Sequence, residues 1–357
     1  MSARFPLRPE EFETAFIEQV FDAAPGSLKS LTHEPVGTGQ VCDSYRFVCE
    51  WAENVIGPRE SPSKFDVPAT FIAKCPSADT ISRNAAAIFH LYDMEVGWYR
   101  DAANTSGVDC PLCYHAAIAD NEQEFVLLLQ DMAPARQGDQ VAGASLIQVE
   151  TTLEEAATLH SYRPESGFEK LRWLHHGEGN SEFTKNTLIQ GYPVFRERFT
   201  KLLSADALDL GAELVARMDS YIAQAPAEQT ITHGDMRLDN ILFHADGRIA
   251  ALVDWQTCSL GNPANDIAYL IGTSFADPAQ RRDEEKRLVR DYLSKRPNAP
   301  AFEIFWDEYR RHAFSGFLMA INASLHVEQT ERGDRMFAAM AERPAQMAID
   351  LDSLSLL

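Results

Sequence analysis

One short segment constrains this chain more than any other feature of its sequence. Residues 232–240 read Thr-His-Gly-Asp-Met-Arg-Leu-Asp-Asn, and an apolar run follows them. A turn at 245–247, a second apolar run and the carboxylate of Asp254 complete the stretch. This order predicts a loop, a strand, a tight turn and a second strand. In such a hairpin the side chains of Asn240 and Asp254 converge at one end.

The polar residues of this stretch have the spacing that phosphoryl transfer requires. A carboxylate can take the proton of a hydroxyl held in line with a γ-phosphate, while Mg²⁺ prefers oxygen ligands from Asp and Asn. Four residues separate Asp235 from Asn240, as in a kinase catalytic loop, and Asp254 stands where a kinase has its later metal-binding Asp. We predict that Asp235 is the catalytic base and that Asn240 and Asp254 hold Mg²⁺.

Neighbouring polar residues have more than one interpretation. Arg237 lies two residues after Asp235, where a cation can meet the γ-phosphate, and a surface ion pair is an equal alternative. We expect His233 to support the loop by hydrogen bonding and Asp239 to cap it. Asp266 is expected to anchor the catalytic loop, with a helix N-cap as its alternative.

These residues and the motifs after them resemble the aminoglycoside phosphotransferase and choline kinase superfamily, in particular bacterial phosphotransferases allied to ecdysteroid kinases. The resembling segments are 232–240, Val-Asp-Trp-Gln at 253–256, Gly-Asn-Pro at 261–263, Asp-Ile-Ala-Tyr-Leu at 266–270, Arg-Gly-Asp at 332–334 and Asp-Leu-Asp at 350–352. The resemblance implies an α+β, bilobal protein-kinase-like fold with a sheet-rich N-lobe and a mostly helical C-lobe. It also implies ATP and Mg²⁺ as cofactors, with ATP at the hinge.

The predicted hinge follows the apolar strand pattern at 125–129, where a loop rich in Pro, Gly and Asp begins. We therefore expect a nucleotide-binding lobe at 1–131 and a catalytic, acceptor-binding lobe at 132–357. The resemblance implies that Gln130 and Met132 present backbone groups to adenine. Because side chains do not reveal such contacts, the choice between ATP and GTP stays open.

Lys74 follows the short apolar strand 71–73, where it can reach the α- and β-phosphates; a solvated strand-end lysine is the alternative. In the predicted helix 84–103, Glu95 shares one face with apolar and aromatic residues. Those residues are Ile88, Tyr92 and Tyr99. Because a carboxylate that faces the interior is unfavourable without a partner, we predict that Lys74 and Glu95 form an ion pair that orients the phosphates.

Gly37 and Gly39 lie in a Gly-x-Gly between two strand-like segments upstream of Lys74. Such glycines let backbone amides approach phosphate, although any hairpin can contain two of them. Their order in the chain is what assigns them to nucleotide binding.

The chain carries a net charge of −21, which disfavours nucleic acids and anionic membranes as partners. No signal-peptide core or bilayer-length apolar run is evident, so we expect a cytoplasmic protein. Among the six cysteines, Cys110 and Cys113 form a Cys-x-x-Cys pair that lacks the further ligands of a zinc site. Reduced thiols are the expected state.

The expected partner is a small-molecule hydroxylated acceptor, and the resemblance implies that the helical lobe binds it. Many aromatic residues occur there, among them Trp173, Tyr192, Phe305 and Phe317. Their number, together with the resemblance to the ecdysteroid-kinase-allied branch, favours a largely apolar alcohol over a polycationic aminoglycoside. Helix packing is the alternative explanation for each of them. The rival functions are an aminoglycoside-type phosphotransferase, a non-catalytic nucleotide-binding protein and a metal-dependent hydrolase.

Overall fold

The computed structural model describes residues 5–37, 41–53, 67–175, 181–223, 228–327 and 329–357. The chain separates into two compact units by its internal contacts. The first comprises Met1–Asn104 with Pro111–Ala133, and the second comprises Thr105–Cys110 with Pro134–Leu357.

The first unit is built on an antiparallel sheet of five strands. The strands are β1 (Leu28–Pro35), β2 (Cys42–Trp51), β3 (Thr70–Pro76), β4 (Cys113–Ile118) and β5 (Phe125–Gln130), in the spatial order β1-β2-β3-β5-β4. Helix α1 (Thr14–Val20) precedes them, and α2 (Thr80–Ile88), α3 (Leu91–Gly97), a π-helical turn (Trp98–Ala102) and α4 (Ala103–Ser106) follow β3. The rings of Phe47 and Phe71 stack at 5.0 Å in the core of this sheet.

Lys74 lies inside β3 and not at its end, because the strand continues to Pro76. It pairs with Ser44 of β2 and with Leu127 of β5. Side chains alternate between the two faces of a strand, and Lys74 lies on the face that meets Glu95 of α3.

The single helix predicted over 84–103 is wrong, since α2 ends at Ile88 and α3 begins at Leu91. His90 between them is in the left-handed region with φ +56°. The break changes the helical phase, so the spacing rule does not carry across it. Ile88 is consequently 64% exposed, whereas Tyr92, Glu95 and Tyr99 are buried as expected.

The second unit is mostly helical. Its helices are α5 (Leu146–Ser161), α6 (Ser181–Phe199), α7 (Ala205–Ala216), α8 (Met218–Ile222), α9 (Pro263–Ser274), α10 (Pro278–Ser294), α11 (Phe302–Arg311), α12 (Ser315–Ser324) and α13 (Glu331–Asp350). Its short strands are β6 (Arg136–Gln137), β7 (Thr230–Thr232), β8 (Ile241–Phe243), β9 (Ile249–Leu252) and β10 (Ser259–Gly261), which form a β6-β8-β9 sheet and a β7-β10 pair.

Helix α9 forms the centre of this unit. It is buried along almost its whole length and packs against α5, α11, α12 and α13. Asn262 caps it by accepting a hydrogen bond from the backbone N–H of Ala264, and Pro263 occupies its first turn. A helix enclosed on all sides is a rigid element, and both β7 and the segment that begins at His233 lie beside it.

None of the described helices is long and apolar enough to cross a membrane. The six cysteines are thiols and form no disulfide within the described parts of the chain.

Candidate active site

The loop at 233–240 is held to α9 through its backbone. The carboxylate of Asp266 accepts hydrogen bonds from the backbone N–H groups of His233 (2.7 Å) and Gly234 (3.0 Å). Burial raises the pKa of Asp266, but its interactions with His160 and His233 together outweigh burial, and the net pKa lies below its usual range. The carboxylate is therefore ionised. Its contacts are those of a loop anchor, while the cap of α9 is Asn262.

His160 supports this anchor from α5. Its Nε2 lies 3.2 Å from Oδ2 of Asp266 and its Nδ1 lies 2.7 Å from the hydroxyl of Tyr292. Burial lowers the pKa of His160, so the imidazole is neutral at pH 7. In the tautomer that satisfies both contacts, Nε2–H donates to Asp266 and Nδ1 accepts from Tyr292. His160 is thus a satisfied core histidine.

Gly234 has a backbone conformation and a packing that only glycine permits. Its φ is +80°, and a Cβ at this position would lie 2.4 Å from the carbonyl oxygen of Thr257. His233 next to it places Nε2 3.0 Å from the carbonyl oxygen of Val253 and packs its ring 4.7 Å from that of Trp255. These contacts fix the path of the chain directly before Asp235, which agrees with a supporting role for His233.

The carboxylate of Asp235 receives three donors. Nε of Arg237 lies 3.2 Å from Oδ1 and 3.1 Å from Oδ2. The amide nitrogen of Asn240 donates to Oδ2 at 2.8 Å, and the hydroxyl of Tyr269 donates to Oδ1 at 2.7 Å. The structure therefore brings Asp235, Arg237 and Asn240 together, and it adds Tyr269, to which the sequence analysis gave no role.

Arg237 bridges two carboxylates of the loop. Its Nε contacts Asp235, and its Nη1 donates to Oδ2 of Asp239 at 3.0 Å. Burial lowers the pKa of Arg237, but the charges of Asp235 and Asp239 outweigh burial and raise its pKa above the usual range. The structure shows the ion-pair alternative for Arg237, but its ion pairs lie within the loop and not on the surface.

Asn240 and Asp254 lie beside each other through the β8–β9 pairing. Ile241 pairs with Leu252, and the N–H of Val253 donates to the carbonyl oxygen of Asn240 at 3.0 Å. Asp254, the next residue, is in the left-handed region with φ +67° and ψ +65°. Such backbone is uncommon for a non-glycine residue, and it concentrates at functional sites.

The donor set here fits a hard cation. The side-chain nitrogen of Asn240 donates to Asp235, so the side-chain oxygen Oδ1 is the Asn240 atom suited to a metal. The carboxylate of Asp254 offers a second oxygen, and Mg²⁺ takes its remaining ligands from phosphates and water. Among the described residues, no group of three or more His, Cys, Asp or Glu side chains forms a metal cluster. Asn240 and Asp254 thus offer two oxygen donors, and their role as metal ligands stays a prediction.

Two residues that hold the loop were missed by the sequence analysis. Gln140 is fully buried; its Oε1 accepts from the N–H of Leu238 at 2.9 Å, and its backbone N–H donates to Asp239 at 3.1 Å. Nothing in its local sequence distinguishes it. Tyr269 lies three residues after Asp266 on α9, and this helical spacing was an available signal that both side chains face the loop.

In the first unit, Nζ of Lys74 and Oε1 of Glu95 are 2.7 Å apart, and both side chains are buried. Their pairing follows from the position of Lys74 inside β3 and of Glu95 on α3. The solvated strand-end alternative for Lys74 is thus excluded by its burial. Whether the pair contacts phosphates stays a prediction.

The other predicted nucleotide-binding residues occupy the sheet region. Gly37 follows β1 with φ +77°, while Gly39 lies outside the described residues. Gln130 ends β5, where its N–H donates to the carbonyl oxygen of Leu112 at 2.8 Å. Met132 follows Asp131, whose carboxylate accepts from Arg46 and from the N–H of Ala133 and thereby fixes this segment.

The aromatic residues that suggested an apolar acceptor cleft are mostly core. Trp173, Tyr192, Phe305 and Phe317 are each at most 5% exposed. Phe195 packs against Phe317 with ring centroids 5.8 Å apart. Helix packing therefore accounts for these residues, and their number does not support an aromatic-lined cleft.

A known protein family matches more than half of the chain. The sequence profile of the phosphotransferase enzyme family (APH) matches residues 83–305. Acyl-CoA dehydrogenase family member 11 of Gallus gallus is 44% identical over 43 residues, which is 12% of this chain and 6% of the chicken protein. Family member 10 of Mus musculus is 46% identical over 41 residues, or 11% of this chain and 4% of the mouse protein. The chain thus shares only a short segment with these curated relatives.

Solved structures show a similar fold. A candidate aminoglycoside phosphotransferase of Ralstonia eutropha has a TM-score of 0.50 and 17% identity, covering 94% of this chain and 98% of the other. The GDP complex of aminoglycoside 2′-phosphotransferase-IIIa has a TM-score of 0.51 and 12% identity, covering 93% and 97%. At these identities the likeness concerns the fold alone, and it confirms the predicted kinase-like α+β fold.

Proposed function

Because the chain belongs to the phosphotransferase enzyme family, we propose that it is an ATP-dependent O-phosphotransferase acting on a hydroxyl of a small molecule. The membership confirms the resemblance to the aminoglycoside phosphotransferase and choline kinase superfamily. The observation that carries the proposal is the arrangement around Asp235, which lies on an anchored loop. Nδ2 of Asn240 is 2.8 Å from Oδ2 of Asp235, and Asn240 begins a hairpin that ends at Asp254.

In the proposed reaction, the acceptor hydroxyl oxygen forms a bond to the γ-phosphorus of ATP. The bond from that phosphorus to the β–γ bridging oxygen breaks, and ADP leaves. The hydroxyl proton passes to the carboxylate of Asp235. The three donors around this carboxylate support the assignment because they hold it in one orientation, and positioning dominates catalysis of phosphoryl transfer.

For the nucleotide, we assign Asn240 and Asp254 as the residues that would hold Mg²⁺, which neutralises phosphate charge when bound. Lys74, oriented by Glu95, is assigned to the α- and β-phosphates, and the backbone at Gly37, Gly39, Gln130 and Met132 to the rest of the nucleotide. The ion pairs of Arg237 with Asp235 and Asp239 favour a role inside the loop. A contact of Arg237 with the γ-phosphate stays a prediction.

The acceptor is proposed to be a small hydroxylated molecule. A largely apolar alcohol stays the expectation on the resemblance to the ecdysteroid-kinase-allied branch alone, because the aromatic residues that also suggested it are mostly core, and an aminoglycoside is the alternative. The net charge of −21 suits a cationic acceptor and disfavours nucleic acids and anionic membranes. A cytoplasmic location is also proposed, because the proposed reaction requires a compartment that supplies ATP.

The test is an assay of ATP and GTP consumption across aminoglycosides, lipophilic alcohols and other hydroxylated compounds, with products identified by mass spectrometry. Asp235→Asn should retain nucleotide binding but lose about 10²- to 10⁴-fold in turnover, because the acceptor loses its base. Asp246→Asn, in the exposed β8–β9 turn, is the matched control and should behave like the parent.

Each outcome has a distinct meaning. Phosphorylation of aminoglycosides with no turnover of apolar alcohols would reverse the acceptor expectation. Binding of ATP without turnover of any acceptor would favour a non-catalytic nucleotide-binding protein. Turnover by Asp235→Asn near the parental rate would remove Asp235 from the reaction.

A further inference from the structure

Tyr269 approaches the candidate base from outside the catalytic loop. Its side chain is 1% exposed on α9, and its hydroxyl lies 2.7 Å from Oδ1 of Asp235. Burial, together with the charge of Asp235, raises the pKa of Tyr269 well above its usual range. The phenol therefore stays protonated, and it donates the hydrogen bond.

The other two donors to Asp235 belong to the loop itself. Arg237 and Asn240 are two and five residues further along the chain, so they move with the loop when it moves. Tyr269 is 34 residues away on a helix that is enclosed by its neighbours. Tyr269 is thus the donor that connects the Asp235 carboxylate to a rigid element of the fold.

Asp266, one helical turn before Tyr269 on α9, makes a second set of contacts with the same loop. It binds the backbone N–H groups of His233 and Gly234. Asp266 therefore fixes where the loop backbone lies, but it does not set the side-chain torsions of Asp235. The hydrogen bond from Tyr269 restrains those torsions, because a fully buried phenol ring has little freedom to follow a rotating carboxylate.

We propose that Tyr269 is a positioning residue that holds the Asp235 carboxylate in the orientation needed to receive the acceptor proton. The proposal rests on the proposed function for its catalytic consequence. An ionised carboxylate offers about four acceptor positions. With Tyr269 on Oδ1, Asn240 on Oδ2 and Nε of Arg237 shared between the two oxygens, the orientation of the carboxylate plane is fixed.

The test compares Tyr269→Phe with Tyr309→Phe. Tyr309 is an equally buried tyrosine of the same unit whose hydroxyl donates to a different carboxylate, that of Glu285, at 3.3 Å. Tyr269→Phe should lower kcat by about 10- to 100-fold while leaving the nucleotide KM and affinity unchanged, since a displaced catalytic group affects the chemical step. Tyr309→Phe should keep the parental kcat.

A second measurement does not depend on activity. In protein labelled with ¹³C-carboxyl aspartate, the resonance of Asp235 is identified by its loss in Asp235→Asn. It should shift or broaden in Tyr269→Phe and stay in place in Tyr309→Phe. An Asp235 resonance that is unchanged in Tyr269→Phe, or a parental kcat in that variant, would overturn the proposal. If the parent phosphorylates no acceptor, the proposed function fails by itself, and the resonance alone decides whether Tyr269 holds the carboxylate.

Discussion

Nζ of Lys74 and Oε1 of Glu95 lie 2.7 Å apart in a buried part of the first unit. Removing one partner of such a pair takes an opposite charge away from a buried ion. We expect Lys74→Ala or Glu95→Ala to lower the free energy of unfolding by about 3–5 kcal/mol. The double variant should lose less than the sum, because the first change has already removed the contact between the two side chains. Denaturant unfolding of the four proteins measures this coupling.

The matched control for this cycle is the exposed pair Lys295 and Glu154, whose atoms are also close, at 2.8 Å. Solvent screens exposed pairs, so the same cycle there should give a small coupling, in the range of about 0–1 kcal/mol. Strictly additive losses for Lys74 and Glu95 would mean that their contact contributes nothing beyond the two separate side chains.

Asp254→Ala should weaken nucleotide binding in the presence of Mg²⁺, because the ion loses a charged oxygen ligand. Nucleotide binding in EDTA should change little. Calorimetric titration of ATP into the parent and the variant, with and without Mg²⁺, separates the two effects. An unchanged affinity together with an unchanged dependence on Mg²⁺ would exclude Asp254 as the ligand.

Gly234→Ala tests how tightly the 233–240 loop is held. The φ of +80° and a Cβ only 2.4 Å from the carbonyl oxygen of Thr257 both oppose alanine. Gly26 has a φ of +75° with nothing within 4 Å of a Cβ, so Gly26→Ala measures the backbone effect alone. We expect a loss of about 1–2 kcal/mol for Gly26→Ala and about 3 kcal/mol or more for Gly234→Ala. Equal losses of unfolding free energy for the two variants, in thermal or denaturant unfolding, would show that the loop can shift away from Thr257.

Glu155 should make stability depend on pH. Burial raises the pKa of Glu155 from 4.5 to about 7, although its Oε1 accepts from the N–H of Asp109 at 2.5 Å. Because the folded protein holds the proton more tightly, the stability that Glu155 contributes is complete below pH 4.5 and is lost as pH rises through 7. Glu155→Gln should therefore gain about 2–3 kcal/mol relative to the parent between pH 5 and pH 8.

Denaturant unfolding at both pH values measures that difference. Glu154→Gln, at the neighbouring and half-exposed position, is the control and should follow the parent at both pH values. A Glu155→Gln variant that follows the parent in the same way would mean that Glu155 is ionised in the folded protein throughout this range.

Local chemistry made parts of the site predictable. The loop from His233 to Asn240 and the hairpin to Asp254 follow from residue types at short separations, and such patterns determine turns and strand pairs directly. The pairing of Lys74 with Glu95 was also predictable, because a carboxylate on an inward helical face requires a partner. The same reasoning failed for Ile88, where a left-handed His90 interrupts the helix and resets its phase.

The sequence alone therefore determined the spacing of Asp235, Asn240 and Asp254, since that spacing depends on neighbours in the chain, and the resemblance of these motifs implied the α+β class. Tertiary structure decided which distant groups hold the 233–240 loop: Tyr269 and Gln140 reach it from 34 and 98 residues away. It also decided that aromatics such as Trp173 and Phe317 pack the core. The physical reason is that burial and long-range hydrogen bonds depend on how helices pack, and the periodicity of one segment does not specify its packing partners.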